Sequence, residues 1–94
     1  MATGLFKVES AYFHPGYDLV VLTGEVLQHP VRAGLHVDLP REAGGPGWVP
    51  IASLEFVRFP LGERLALTVS YTSIRHTPLE PTSLEGRELE VRQR

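Results

Sequence analysis

The 94-residue chain contains no cysteine. Disulfides, thiolate metal sites and cysteine nucleophiles are therefore excluded, and stability must come from packing. Asparagine is also absent, which removes Asn-Gly hairpin turns and any N-glycosylation acceptor. Turns must rely on the 9 glycines and 8 prolines instead. No apolar run approaches the roughly 18 residues needed to span a bilayer. The opening residues, Met1 to Lys7, lack a basic region followed by an apolar stretch. These absences predict a soluble, cytoplasmic chain with no membrane partner. A clustered basic face is missing too: the net charge is −2. The loose group Arg87, Arg92 and Arg94 is offset by Glu85, Glu88 and Glu90. General affinity for duplex nucleic acid, which requires several neutralised phosphates, is disfavoured.

What remains is an ordinary globular composition, 43% hydrophobic and 21% charged, so disorder is not expected. A chain of this length buries only about 60–65% of its unfolded surface, enough for one core, and we read 1–94 as a single domain. Residues 5–13 carry Phe6, Val8 and Tyr12 at a period of two, with Ser10 the exception, and predict a strand. His14-Pro15-Gly16-Tyr17 has Pro second and Gly third, as a type II turn prefers. Residues 19–27 open with four consecutive apolar residues, which predicts a strand buried on both faces or one bulged at Gly24. Pro30 then breaks the ladder and holds His29 extended. Gly34 supplies a turn into the strand Leu35, Val37, Leu39, and Pro40 to Gly47 reads as a mobile loop.

Trp48 to Phe59 is a further apolar segment whose phase slips near Ser53, followed by a turn at Pro60-Leu61-Gly62. Leu65, Leu67, Val69 and Tyr71 alternate with polar or small residues in a half-buried strand. Residues 72–86 read as an irregular connection into a last strand with Leu89 and Val91 inward. No segment keeps a 3.6-residue period for the roughly 11 residues that a helix needs. The fold class is all-β: a small closed or nearly closed antiparallel barrel of about six strands.

The order of punctuation along Phe6, Val8-Glu9, Tyr12, Pro15-Gly16, Val20-Val21, Thr23-Gly24, Val26, Val31, Gly34, Val37 and Leu39 resembles the second-domain barrel of translational GTPases such as elongation factor Tu. In that family Thr-Gly-x-Val is followed by a further Gly ten residues on, and Gly24 and Gly34 keep the separation. Ile51-x-Ser53-Leu54-Glu55 is similar to the strand that closes the next hairpin, and Leu84-x-Gly86 with Leu89 to the closing Gly-x-x-Leu. Matching segments cover about two thirds of the chain. The sequence departs from the pattern by one residue inserted between Gly16 and Gly24, by His29 in place of a Gly, and by a shorter stretch from Val57 to Gly62. The phosphate loop Gly-x-x-x-x-Gly-Lys-Ser/Thr is absent, so no GTP binding is expected of this chain alone.

In that family the barrel helps hold the aminoacylated end of transfer RNA. The resemblance implies Glu9, Tyr12 and Glu55 as candidate ligand-binding residues, with Ser10 and Arg64 standing where the family has an acid and an amide. Carboxylates accept from ribose hydroxyls, and an aromatic face stacks a base. The structural alternative is that Tyr12 packs on the barrel while Glu9 and Glu55 are solvated. Four histidines, at 14, 29, 36 and 76, lack a recognised ligand spacing, and no metal or other cofactor is expected. No Gly-x-Ser-x-Gly occurs, and Glu9 with Glu55 or Asp18 with Glu25 are carboxylate pairs of the kind chance supplies among 11 acids. Trp48 reads either as a cap over the barrel end or, with His29, as a partner contact. The leading functional expectation is a non-catalytic module that binds protein. RNA-end binding is the alternative, and a small enzyme or metal protein the remote one.

Overall fold

The computed structural model describes residues 3–59 and 62–94. Seven strands form one antiparallel sheet: β1 (Gly4–His14), β2 (Leu19–Gln28), β3 (His36–Leu39), β4 (Gly47–Pro50), β5 (Ser53–Phe59), β6 (Gly62–Ser70) and β7 (Glu88–Arg92). Their order in the sheet is β4-β3-β7-β1-β2-β6-β5. The expected all-β, barrel-like architecture is thus what the chain adopts. The helical elements among the described residues are short 3-10 turns at Arg41–Ala43, Tyr71–Ser73 and Pro81–Leu84.

The two edge strands of this sheet are successive parts of one stretch of chain. Ile51 still belongs to the β3 side, donating its N–H to the Leu35 carbonyl at 2.8 Å, whereas the Ala52 N–H goes to the Thr68 carbonyl of β6 at 2.8 Å. The chain changes partners between these two residues. It thereby curls the sheet into a barrel-like shape, and the side-chain phase slips at the position expected near Ser53. This handover is why six apolar stretches become seven strands.

Burial follows the pleat. Phe6, Val8, Val20, Leu22, Val37, Leu39, Leu67, Val69, Leu89 and Val91 are at most 1% exposed and make a single core. Each contributes about 1.5–3 kcal/mol through burial. Ile74, Leu79 and Leu84 add to the core from the connection 71–87, so this segment closes one end of the barrel. Its backbone also serves β1: Val8 N–H donates to the Arg87 carbonyl and Gly86 N–H to the Val8 carbonyl, at 3.0 and 2.8 Å.

Three local expectations change. First, Glu9 is an extra residue on β1, since Val8 pairs with Gly24 and Ser10 with Thr23. Strand β2 has an extra residue of its own at Leu27, since Leu5 pairs with Gln28 and Phe6 with Val26, whereas the bulge opposite Gly24 lies on β1. It reverses the phase of β1, so Ala11 is inward at 3% exposure and Tyr12 points outward at 47%, no longer sharing a face with Phe6 and Val8. Second, the β1–β2 hairpin closes with Tyr17 N–H donating to the His14 carbonyl at 3.3 Å, but Gly16 lacks the positive φ of a type II turn. The left-handed residue is Asp18 at φ 56°, which makes a four-residue loop of the kind built around a type I turn. Third, Pro40 to Gly47 contains a 3-10 turn ended by left-handed Gly44, whose N–H donates to the Arg41 carbonyl at 2.9 Å. Gly34 takes φ 88° at the turn into β3, as expected. Of the turn expected at 60–62, residues 60 and 61 lie outside the described residues.

Candidate functional site

The outward positions of β1, β2, β6 and β5 align into rungs. One runs Ser10, Thr23, Ala66, Glu55, and the next Tyr12, Val21, Thr68, Ser53. Small side chains occupy the middle of both rungs, and Ala66 and Thr68 are only 2% exposed. Strand β6 is therefore buried on both faces, where alternation predicted one. The larger residues stand around them, leaving a hollow of about 220 Å³ bounded by Tyr12, His14, Tyr17, Glu55 and Phe56. Its floor includes Val21, Ala66 and Thr68.

Hydroxyl groups hold this floor. Ser10 and Thr23 hydrogen-bond through their hydroxyls, as do Ser53 and Thr68, the latter at 2.7 Å. The Ser53 hydroxyl also donates to Glu55 Oε2 at 3.3 Å. Since a hydroxyl has one proton, Thr68 must donate to Ser53 when Ser53 donates to Glu55. The chain Thr68, Ser53, Glu55 ends on the carboxylate and orients it over the hollow. At the opposite rim Tyr17 is braced by His14, their ring centroids 4.8 Å apart.

The four ligand-binding candidates separate into two pairs. Tyr12 and Glu55 share the hollow. Glu9, on the bulge, instead accepts from Arg64 Nε at 2.6 Å, with side chains 42% and 46% exposed. This ion pair joins β1 to β6 across the intervening β2. Asp18 and Glu25 lie seven positions apart along the same strand and its turn, roughly 20 Å, too far to act together.

Trp48 projects outward from β4 opposite Asp38 and is half-buried, outside the core. The guanidinium carbons of Arg92 and Arg94 lie 4.3 and 5.3 Å from its ring centre. It is a stacking platform for two arginines, not the barrel cap. Beside it lies an open depression of about 570 Å³ that includes Asp38, Arg41, Glu42 and Arg94, charges of both signs. His29 is exposed and joined to Pro30 by a cis peptide bond. Its distance along the chain from the hollow is spanned by most of β2. The other histidines scatter among the end of β1 (His14), β3 (His36) and the turn after Ser73 (His76). Among the described residues no three His, Asp or Glu side chains come together to hold a metal ion.

Tyr17, Phe56, Ser53 and Thr68 were not singled out by sequence reasoning. The hairpin after Tyr12 was a usable signal for Tyr17, because it folds the residues flanking Pro15-Gly16 together. Nothing local marks the hydroxyls, which become partners only through the β5–β6 register. These features define a small all-β barrel-like domain with an aromatic and acidic hollow on its outer face. Comparisons with protein families, with characterised proteins and with solved structures find no match to this chain. No helix among the described residues is long and apolar enough to cross a membrane.

Proposed function

We propose that this chain is a non-catalytic, cytoplasmic binding module that docks a protein partner on the outer face of β1, β2, β6 and β5. The observation that carries this reading is the exposure of aromatic side chains around one hollow: Tyr12 at 47%, Tyr17 at 74% and Phe56 at 76%. Aromatic rings at the rim of a small pocket are the usual anchors of protein interfaces, because they bury large area at little entropic cost. Strand β5 adds an open edge, since among the described residues it pairs within the sheet only with β6. An extended partner segment can align on such an edge.

RNA-end binding is the second reading, supported by Tyr12 and Glu55 lining the same hollow, as the resemblance to the translational GTPase barrel implies. Against it, the Glu9 carboxylate is engaged by Arg64. A photo-reactive phenylalanine analogue placed at position 17 distinguishes the two in cells. Adducts destroyed by protease and resistant to ribonuclease are expected. Ribonuclease-sensitive adducts would replace the first reading with the second, and the absence of any adduct would remove both.

A further inference from the structure

The hollow is unusual in what surrounds it. Two tyrosine rings and a carboxylate face a floor of Val21, Ala66 and Thr68, and among the described residues its lining contains no Lys or Arg. Glu55 is held by the Ser53 hydroxyl and, among the described residues, has no ion-pair partner. The nearby Glu9, by contrast, is matched by Arg64. At about 220 Å³ the hollow is smaller than the roughly 300–1,000 Å³ of sites for drug-sized ligands, so it has room for one side chain. Aromatic faces carry negative quadrupole potential and attract cations, more strongly where water is partly displaced. A carboxylate at the same rim adds directional acceptors for N–H groups.

We propose that this hollow receives the cationic side chain of a lysine or arginine presented by the protein partner, with Tyr12 and Tyr17 contacting its alkyl stem and charged head and Glu55 pairing the charge. The proposal rests on the protein-partner reading for the source of the side chain, and on charge complementarity for its chemistry. The aliphatic stem suits the apolar floor, and the head reaches the rim, as long basic side chains do elsewhere. The part-buried hydroxyl pair beneath keeps Glu55 oriented before the ligand arrives, which lowers the ordering cost of binding.

The test is a titration of the isotope-labelled chain, followed by amide NMR, with capped tripeptides Gly-Lys-Gly and Gly-Arg-Gly and with Gly-Lys-Gly acetylated on the side chain. Lysine and arginine peptides are expected to shift the amides of Tyr17, Glu55 and Phe56 saturably, with millimolar dissociation constants. The acetylated peptide should bind at least about fivefold more weakly. Tyr17→Ala and Glu55→Gln should each weaken the charged peptides by about threefold or more, and Glu55→Gln should abolish most of the preference for charge. Tyr17 is 74% exposed, so its truncation leaves the fold intact. Equal binding of charged and acetylated peptides, or shifts confined to the Trp48 face, overturns the proposal. If position 17 still captures protein while the peptides do not discriminate, the partner reading stands and the cation site falls. If the peptides discriminate but no protein is captured, the cation site stands and the partner reading falls.

Discussion

A Cβ built on Gly24 would meet the Lys7 carbonyl oxygen at 1.8 Å, because the bulge at Glu9 presses the β1 backbone against β2 there. No side-chain rotation relieves a backbone contact. Gly24→Ala is therefore expected to destabilise the domain by about 2–4 kcal/mol, read as a lower urea midpoint. The neighbouring charge pair behaves differently. Glu9 and Arg64 are each more than two-fifths exposed, where solvent screens the attraction and side-chain entropy opposes it. Glu9→Gln should change stability by less than about 1 kcal/mol, and a loss well above that would mean the pair sustains the bulge. Glu85 lies between these cases. Its Oε2 accepts the Ala11 N–H at 3.1 Å, just beyond the point where the bulge takes β1 away from β7. Glu85→Ala leaves that amide without its partner and should cost about 1–2 kcal/mol in a denaturant melt.

Elements in this fold are shaped by what lies at their ends. Strand β1 pairs with β7 over Gly4–Lys7 only, after which Gly86, Arg87 and the Glu85 carboxylate take over its open side. The connection 71–87 is therefore structural, and it is anchored by Leu84, fully buried in the core. Leu84→Ala removes that anchor and should cost about 2–5 kcal/mol. Amide exchange at Val8 and Ala11 should accelerate in the same variant. Exchange unchanged at those two sites would show that the connection does not hold β1. The bulge has a second consequence for this element. By reversing the phase of β1 it places Tyr12 over the hollow, so one inserted residue connects strand irregularity to the proposed binding surface. Alternation in the sequence was visible on both sides of Glu9, but the reversal was not, since Ser10 is as compatible with an unbroken strand as with a bulged one.

At the scale of the molecule, the curl of the sheet depends on the chain passing from β3 to β6 between Ile51 and Ala52. Both halves of the barrel then share one core, and they are expected to unfold together. Fluorescence of Trp48, on β4, and far-UV circular dichroism should give coincident urea transitions. A separate, earlier fluorescence transition would mean that β3 and β4 open independently. The sequence by itself determined the strand class, the approximate strand limits and most of the core, because period-two burial and Gly-Pro punctuation are local properties of the chain. It also brought forward Tyr12 and Glu55, which do share a hollow. Only the tertiary structure decided that Glu9 joins Arg64, that Trp48 carries two arginines instead of capping the core, and that Tyr17, Phe56 and Thr68 complete the hollow while Ser53 holds Glu55. Those outcomes depend on register and on a bulge, each a choice of one residue between strands distant in sequence. Pairing energies shared among many backbone hydrogen bonds make that choice, and no single residue type announces it.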